Sequence, residues 1–323
     1  MTVQESPAAP FAVGTFATAD GREFAGLVAG DRVVDLTGSG LPETTRGLLA
    51  DWAAALPRLT ALAAADGPRL DLADLRVLAP VEPRQVFQSG ANYRTHVIDL
   101  AVAHRSAGDP RTDDEIRADT AALMDRRAAE DLPYVFTGLP SAITGPYDDI
   151  VVPDWVAKPD WELELTAVIG KEAYRVSEAE ALEHVAAYTI ANDLTAREAV
   201  FRRDMPEIGT DWQRSKNIPG FTPLGPFLVP SAFVGDVTGL TVRLDVNGTT
   251  YQAESTRDMI FGIARLVSYI SQSARLLPGD LVLTGSPAGN GMHWGVLLQD
   301  GDVMEGSITG LGAQRNRIVR KAG

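Results

Sequence analysis

Residues 160–170 have the sequence Asp160-Trp161-Glu162-Leu163-Glu164-Leu165-Thr166-Ala167-Val168-Ile169-Gly170. Apart from its acids, this segment has the composition of a strand that ends in a turn at its glycine. Side chains two residues apart point to the same face of a strand, so Glu162 and Glu164 lie together while the intervening leucine faces the other side. Two close like charges repel unless a cation holds them, which is one interpretation of the pair. The other is that both acids face water, because the solvated face of a half-buried antiparallel strand shows the same alternation. The segment alone leaves both interpretations open.

The chain has no cysteine among its 323 residues, which restricts the kinds of site it can build. Thiol catalysis and cysteine-ligated zinc are excluded. The four histidines form no His-x-x-x-His or His-Glu-x-x-His pair; they are His96, His104, His184 and His293. A metal site would therefore be rich in oxygen ligands, which favours Mg²⁺, Ca²⁺ or Mn²⁺ over Zn²⁺.

The net charge of −14 and the pI near 4.7 argue against a nucleic-acid partner and against an anionic membrane surface, because no basic stripe offsets the acids. No apolar run approaches the roughly 18 residues of a membrane-spanning helix, and the first residues lack a basic segment followed by an apolar one. We therefore expect a cytoplasmic protein with no membrane or nucleic-acid partner. An acidic small substrate would need a local positive site.

The first part of the chain predicts a small leading domain. Residues 11–36 contain three short β-like segments separated by turn signals. A helical stretch rich in Ala and Leu follows at 44–65, where Pro57 predicts an interruption. Two prolines disfavour helix in residues 79–83, so this segment is a plausible linker. The predicted domains are residues 1–80 and 81–323.

From residue 85 onward the pattern changes to strands with few helices. A capping box at 177–180 predicts an amphipathic helix over 177–190, and a second helix is predicted within 257–277. Asn247-Gly248 lies between two β-like runs and is a type I′ hairpin signal. Strand pairs with isolated helices, in place of repeating βαβ units, predict an α+β, β-rich body.

Residues 101–131 are dense in Arg, Asp and Glu and predict a charged helix, either a solvated surface element or part of a lid. Just before this stretch, His96 and Asp99 are three residues apart and share one face if the segment is helical. A carboxylate beside an imidazole raises its basicity and fixes its tautomer, as a histidine that activates water requires. A surface His-Asp pair at the start of a helix has the same spacing, so the dyad is a hypothesis.

Two further segments carry candidate site residues. Asp193 could add a third carboxylate to Glu162 and Glu164, and with waters the three would satisfy the roughly six ligands of Mg²⁺. Without a metal, it is a loop or cap residue. Lys216 lies in a turn-rich segment, either as an exposed lysine or as a group that binds a substrate carboxylate or a developing enolate. The glycines of 285–291 fit no nucleotide-binding motif and suit a close approach of the backbone to a small ligand.

Several motifs occur together in an order that resembles the fumarylacetoacetate hydrolase family over about residues 85–320. In chain order these motifs are Asn92-Tyr93-x-x-His96, Val135-Phe136-Thr137 with Pro140-Ser141, Asp160-Trp161-Glu162-Leu163-Glu164, Asn192-Asp193-Leu194-Thr195-Ala196-Arg197, the 216–226 run, Leu283-Thr284-Gly285-Ser286-Pro287, and Gly310-Leu311-Gly312 with Asn316. Each motif is weak alone, whereas their shared order is specific.

The resemblance implies a mixed β-roll or β-sandwich catalytic domain behind a small N-terminal α/β domain, assembled as a homodimer or a multiple of one. It also implies a divalent cation, Mg²⁺ or alternatively Mn²⁺ or Ca²⁺. The implied metal ligands are Glu162, Glu164 and Asp193. The implied catalytic residues are His96, Asp99 and Lys216, and the implied substrate-binding residues are Arg197, Thr284 and Tyr93.

The sequence departs from the family pattern at three positions. Asp99 stands where the family usually has a glutamate, which places its carboxylate one methylene further from His96. Gly138 replaces a common lysine, and Pro219 replaces a common aspartate. These differences leave the implied metal ligands unchanged and bear on substrate contacts and on the type of reaction.

The function implied by the resemblance is hydrolysis of a carbon–carbon bond in a 1,3-diketo acid such as an acylpyruvate. His96 would activate a water, and the metal and Lys216 would stabilise the enolate that leaves. The alternative at the same site is decarboxylation or isomerisation of a 2-oxo acid, which runs through the same metal-bound enolate without an attacking water. A third hypothesis is a non-catalytic ligand-binding or scaffold dimer that keeps the fold.

Overall fold

A five-stranded sheet forms the first part of the chain in the computed structural model, which describes residues 9–103, 105–106 and 108–320. Its strands are β1 Ala12–Ala17, β2 Glu23–Ala29, β3 Arg32–Asp35, β4 Leu70–Asp71 and β5 Arg76–Val77. They lie in the order β4-β3-β2-β1-β5, and every neighbouring pair is antiparallel. The three β-like segments predicted within 11–36 are therefore confirmed.

The helical stretch predicted at 44–65 forms two helices, α1 Thr45–Ala50 and α2 Trp52–Ala64. The break between them comes at Asp51, whose side chain caps the second helix by accepting a hydrogen bond from Ala54 N. Pro57 lies inside α2 and does not interrupt it. Because Pro57 is on the solvent-exposed face, the carbonyl that loses its helical partner can be hydrated.

The remaining elements form a larger body. Its strands are β6 Val86–Ser89, β7 Val135–Gly138, β8 Ile143–Thr144, β9 Ile150–Val152, β10 Pro159–Asp160, β11 Leu163–Ile169, β12 Val185–Asn192, β13 Thr195–Ala196, β14 Thr222–Pro223, β15 Val229–Pro230, β16 Thr241–Val246, β17 Thr249–Ser255, β18 Leu281–Leu283, β19 Val303–Ile308 and β20 Gly312–Arg320. Its helices are α3 Arg94–Ala103, α4 Asp113–Glu130, α5 Glu178–Ala181, α6 Trp212–Lys216, α7 Ser231–Val234, α8 Ile263–Ser273 and α9 Gly291–Trp294.

Two sheets dominate this body. One has six strands in the order β15-β12-β11-β18-β6-β7, and the other has five strands in the order β17-β16-β19-β20-β9. Most neighbours are antiparallel; the parallel pairs are β6 with β18, β8 with β14 and β9 with β20. The α+β, β-rich class predicted from the sequence is confirmed.

The helix predicted over 177–190 is wrong in its second half. The capping box forms between Ser177 and Glu180, and α5 begins there. A 3₁₀ turn, Leu182–His184, follows it, and the chain then enters β12. Every residue of β12 is buried between β11 and β15, so pairing within the sheet overrides an apolar run that periodicity alone does not distinguish from a helix.

The other predicted elements agree more closely with the structure. Strands β16 and β17 pair as a hairpin across Asn247 and Gly248, whose φ values of 51° and 78° suit a type I′ turn. The helix predicted within 257–277 is α8. The charged stretch of 101–131 forms parts of two helices instead of one, because α3 ends before Pro110 and α4 begins after it. Residues 104 and 107 lie outside the described residues.

The N-terminal sheet packs directly on the six-stranded sheet. Val13 and Leu228 exchange backbone hydrogen bonds of 2.9 and 2.7 Å, and the rings of Phe16 and Phe227 pack 6.2 Å apart. A division of the chain near residue 80 stays a prediction. None of the helices within the described ranges has the length and apolarity that crossing a bilayer requires.

Candidate metal centre

Three buried or half-buried carboxylates converge where β11 and β12 meet. Glu162 immediately precedes β11 and Glu164 lies within it, so both acids point to one side of the sheet. Asp193 follows β12, and its backbone N–H donates to the carbonyl oxygen of Glu162 at 2.8 Å. Each of the three residues offers a carboxylate oxygen, and these oxygens lie within 4.8 Å of one another. Antiparallel pairing thus places a residue 31 positions from Glu162 beside it.

A lysine bridges two of these acids. Lys216 Nζ donates to Glu162 Oε2 and to Asp193 Oδ2, both at 2.6 Å, and also contacts the carbonyl oxygen of Asp193 at 3.1 Å. Its side chain is only 2% exposed. Burial alone would lower the pKa of Lys216, but the charges of the two acids outweigh that effect and raise the pKa. Lys216 therefore stays a cation in the site.

An arginine provides the second positive charge. Arg197 Nε donates to Asp160 Oδ2 and Arg197 Nη2 lies at the same distance, 2.7 Å, from Glu162 Oε1. Asp160 is fully buried and also accepts hydrogen bonds from the backbone N–H groups of Gly291 and Met292. The guanidinium is thus held between a structural carboxylate and a member of the acid cluster.

The charges of this centre do not balance. Asp160 and the three clustered acids supply four carboxylates, whereas Arg197 and Lys216 supply two cations, which leaves an excess of two carboxylates. The imbalance appears in the pKa of Glu164, which burial and the charges of Asp193 and Glu162 raise well above its ordinary value. A divalent cation would remove the excess, and three carboxylate donors suit Mg²⁺, Mn²⁺ or Ca²⁺. The residues present fit such a metal.

The three clustered carboxylates differ in their partners. Burial would raise the pKa of Glu162, but Lys216 and Arg197 lower it to about 2. Glu164 has no such cation bonded to it and accepts a hydrogen bond from Gly285 N at 2.7 Å. A backbone amide stabilises a carboxylate less than a bonded cation does, so Glu164 bears most of the like-charge repulsion.

Two further polar residues contact the acids of the cluster: Asn192, which the sequence analysis names within a motif, and Gln88, which it does not name. Gln88 Nε2 donates to Asp193 Oδ1 at 2.6 Å, and Asn192 Oδ1 accepts from Glu162 N at 2.9 Å. Gln88 lies in β6, where every residue is buried. A polar side chain in a fully buried strand needs a partner, so Gln88 could have been flagged had the burial of that strand been known.

His96 lies in the first turn of α3 and is half-buried. Burial lowers the pKa of His96 to about 4, although the charge of Glu162 acts in the opposite direction. The imidazole is therefore neutral near pH 7. A neutral imidazole can accept a proton from a substrate or from water, so this state is consistent with a base.

The predicted partner of His96 is engaged elsewhere. Asp99 Oδ1 accepts a hydrogen bond from Arg117 Nη1 of α4 at 2.7 Å. Within the described part of the chain, no hydrogen bond joins Asp99 to His96. The structure therefore brings the two residues onto one short helix without forming the carboxylate–imidazole dyad.

Tyr93 and Thr284 lie beside the acid cluster. Both are fully buried. Burial and the charge of Glu164 raise the pKa of Tyr93, so the phenol keeps its proton. Thr284 Oγ1 donates to the carbonyl oxygen of Leu165 at 2.8 Å, which ties its hydroxyl to the strand that carries Glu164.

The glycines of 285–291 serve contacts within the protein. A Cβ at Gly289 would lie 2.0 Å from the carbonyl oxygen of Tyr251, and one at Gly291 would lie 2.7 Å from Asp160 Oδ1. Trp161 Nε1 donates to the carbonyl oxygen of Gly289 at 3.0 Å. The loop thus packs closely on Asp160, Trp161 and Tyr251, and the approach of its backbone to a ligand stays a prediction.

The chain is similar to proteins of one family along most of its length. The sequence model of the family described as Fumarylacetoacetate (FAA) hydrolase C-terminal matches residues 85–319. A 2,4-didehydro-3-deoxy-L-rhamnonate hydrolase of Sphingomonas sp. (strain SKA58) is 36% identical over 286 residues, which cover 84% of this chain and 89% of the relative. A mitochondrial oxaloacetate tautomerase of Homo sapiens is 33% identical over 282 residues, which cover 86% of this chain and 81% of the relative.

Solved structures share the fold. A 5-carboxymethyl-2-hydroxymuconate delta-isomerase from Mycobacterium smegmatis superposes with a TM-score of 0.69 at 28% identity, covering 97% of this chain and all of that chain. A fumarylpyruvate hydrolase from Pseudomonas aeruginosa, in complex with Mn²⁺ and pyruvate, superposes with a TM-score of 0.59 at 28% identity. That match covers 75% of this chain and 91% of the other.

Proposed function

The chain belongs to the fumarylacetoacetate hydrolase family, and from this premise we propose that it is a divalent-metal-dependent hydrolase that cleaves a carbon–carbon bond in a 1,3-diketo acid of the acylpyruvate type. The observation that carries the proposal is the charge of the centre. Four carboxylates against two cations leave an excess of negative charge that a divalent ion would balance.

Glu162, Glu164 and Asp193 would hold the metal, which we expect to be Mg²⁺ or Mn²⁺, with Ca²⁺ as an alternative. When bound, a divalent cation there supplies charge stabilisation to substrate oxygen atoms. Support comes from the Mn²⁺ and pyruvate of the related fumarylpyruvate hydrolase structure.

A divalent ion together with Lys216 and Arg197 would balance the four carboxylates of the site, in a protein whose overall charge is −14. A 2-oxo acid carries a carboxylate, and the two buried cations would attract and orient it. Cleavage sends the electron pair of the broken carbon–carbon bond into an enolate. Lys216 Nζ would stabilise that negative charge, and one well-aimed contact of this kind contributes on the order of 3 kcal/mol, or about 10²-fold in rate.

His96 would act as the base in this reaction. Its neutral imidazole takes a proton from water, the water oxygen bonds to the distal carbonyl carbon, and the carbon–carbon bond then breaks. The proton held by His96 would pass to the enolate carbon, so the products are a carboxylic acid and a 2-oxo acid such as pyruvate. Tyr93 and Thr284, buried beside Glu164, would line the substrate site.

A second candidate, tautomerisation or isomerisation of a 2-oxo acid, is favoured by one observation. Asp99 pairs with Arg117 and leaves His96 without the carboxylate that would strengthen it as a base for water. Moving a proton on an activated carbon acid requires no attacking water, and the relative named as an oxaloacetate tautomerase supports this alternative. Decarboxylation of a 2-oxo acid at the same residues is the third reaction of this group.

The test is turnover of an acylpyruvate panel and of oxaloacetate by metal-stripped protein, before and after addition of Mg²⁺ or Mn²⁺, with products identified by mass. Metal-dependent release of pyruvate and a carboxylic acid supports hydrolysis. An isomer of unchanged mass, or release of carbon dioxide, supports the alternatives. If neither metal binding nor any turnover depends on Glu164, tested as Glu164→Gln, both metal-enzyme proposals fail.

The homodimer and the cytoplasmic location stay predictions. The identity of the acyl group, and a place in the breakdown of aromatic or sugar acids, depend on the substrate panel.

A further inference from the structure

The chain segment that leads to His96 is fixed to the body of the protein by a buried asparagine. Asn92 Oδ1 accepts a hydrogen bond from Phe261 N at 2.9 Å, and Asn92 Nδ2 donates to the carbonyl oxygens of Phe261 and Thr284 at 3.0 and 2.8 Å. The next residue, Tyr93, forms a backbone bridge with Met259. The chain is therefore immobilised three residues before His96.

A carboxylate from a distant part of the sequence makes the next contact. Asp258 Oδ2 accepts from Thr95 N at 2.8 Å, and Asp258 Oδ1 accepts from Thr95 Oγ1 at 3.1 Å. Thr95 is the second residue of α3, so Asp258 binds an N–H group that has no partner within the helix. A negative charge at this end of a helix also interacts favourably with the helix dipole.

Asp258 itself is held in place. It ends a short 3₁₀ turn, Thr256–Asp258, that begins with a buried threonine. Thr256 Oγ1 accepts from Leu240 N at 3.0 Å and donates to the carbonyl oxygen of Val237 at 2.7 Å. These bonds hold the turn that carries Asp258 against residues 237–240, which lead directly into β16.

After Thr95, the described side chains of α3 form hydrogen bonds to α4 instead of to the body of the protein. Among the described residues, the hydrogen-bonded side chain of α3 that follows Thr95 is Asp99, and its partner Arg117 belongs to the same helical hairpin. The pair of Arg94 with Asp125 also joins α3 to α4, and both of these side chains are more than a third exposed. The contact between Asp258 and Thr95 is thus the last side-chain hydrogen bond to the body before His96.

We propose that Asp258 is a positioning residue that sets the place and orientation of His96 by capping α3 from outside. The proposal rests on the proposed function only in naming His96 as the base. Two hydrogen bonds to one residue fix both the start of the helix and its rotation, and His96 is the very next residue. A displacement of about 1 Å at a reacting group can lower a rate by about 10²-fold.

The experiment compares Asp258→Ala with Asp258→Asn in the full-length protein. Asparagine can accept from Thr95 N and donate to Thr95 Oγ1, so it should preserve the cap. Asp148→Ala is the control, because Asp148 Oδ2 also accepts from a threonine hydroxyl, Thr144 Oγ1, and from a backbone N–H, that of Gly145, and forms no hydrogen bond to α3. The readouts are kcat, KM, affinity for Mn²⁺ and the ring resonances of His96, assigned with His96→Gln.

We expect Asp258→Ala to lower kcat by about 10- to 100-fold, to leave KM and Mn²⁺ affinity within about twofold, and to shift the ring resonances of His96. Asp258→Asn should keep most of the activity, and Asp148→Ala should match the wild type in kcat and in the ring resonances of His96. Wild-type kcat with unshifted His96 resonances in Asp258→Ala would overturn the proposal. An equal loss of Mn²⁺ affinity and kcat would overturn it as well, because the residue would then support the whole site.

The two proposals can fail separately. If the wild type turns over no 2-oxo acid, the proposed function fails, while the resonances of His96 in Asp258→Ala still decide the positioning role. If His96→Gln retains full turnover, the assignment of the base fails, and any loss of kcat in Asp258→Ala then counts against positioning through His96.

Discussion

Asp99 Oδ1 lies 2.7 Å from Arg117 Nη1, and this ion pair holds the carboxylate of α3 against α4. The side chain of Asp99 is 19% exposed and that of Arg117 is 48% exposed, so the pair is at the edge of the hairpin, in contact with solvent. A water-exposed ion pair is weak and can exchange partners. Whether the carboxylate of Asp99 can form a hydrogen bond with His96 therefore depends on Arg117.

Replacement of Arg117 by glutamine should release Asp99. With its ionic partner removed, the carboxylate of Asp99 can turn toward His96 and strengthen the imidazole as a base for water. We therefore expect the ratio of hydrolysis to tautomerisation to rise by about two- to tenfold. This is a fraction of the rate effect of about 10²- to 10⁴-fold that a complete general base supplies. The measurement is product analysis on an acylpyruvate and on oxaloacetate.

Arg126→Gln is the control for this change, because Arg126 is exposed on the same helix. It should leave the product ratio unchanged. If Arg117→Gln and Asp99→Asn both leave the ratio at the wild-type value, Asp99 has no part in choosing the reaction.

Divalent metal should stabilise the fold through the acid cluster. A ligand at 100 times its Kd adds about 2.7 kcal/mol to the free energy of unfolding if it binds only the folded state. We expect Mg²⁺ or Mn²⁺ to raise the melting temperature of metal-stripped protein, and we expect Glu164→Gln or Asp193→Asn to remove most of that rise. Glu183→Gln is the control, since the side chain of Glu183 is 70% exposed and far from the cluster in the fold. An equal rise in all variants would place the metal elsewhere.

His96 should show no titration near neutral pH. Burial lowers its pKa to about 4 in the folded protein, whereas an unfolded chain keeps histidine near about 6.5. Between these values the unfolded chain binds a proton that the folded protein does not, so the contribution of His96 to stability falls as the pH drops from about 6.5 to 4 and is constant above that window. A divalent cation bound nearby would lower the pKa of His96 further, because it disfavours the charged imidazolium. The measurement is an NMR titration of the ring, and a midpoint near 6.5 would contradict the burial of the imidazole.

Gly289 should tolerate no side chain. Its φ is +104°, and a Cβ would lie 2.0 Å from the carbonyl oxygen of Tyr251. We expect Gly289→Ala to lower the free energy of unfolding by about 3 kcal/mol, the upper part of the range for overpacking. Gly310→Ala is the matched control: its φ is +78° with nothing within 4 Å, so only left-handed strain of about 1–2 kcal/mol applies. Equal losses in chemical denaturation would mean that the loop near Gly289 can shift.

Local patterns predicted elements whose stability comes from nearby residues. The hairpin at Asn247 and Gly248 and the capping box at Ser177 depend on contacts within a few residues, and both are present. The composition of residues 160–170 likewise predicted the strand β11, which contains Glu164 and directly follows Glu162. The segment that forms β12 was assigned to a helix because its apolar run is compatible with either structure until a neighbouring strand is present.

The sequence by itself determined the family, the α+β, β-rich class and the set of acids and cations that could form a metal centre, because these depend on residue types in a fixed order. Only the tertiary structure decided which of these groups touch. It placed Lys216 between Glu162 and Asp193, paired Asp99 with Arg117, and brought Asp258 to the helix that bears His96. Such contacts join residues from 18 to 163 positions apart, and no local pattern encodes them because their geometry arises from the packing of whole sheets and helices.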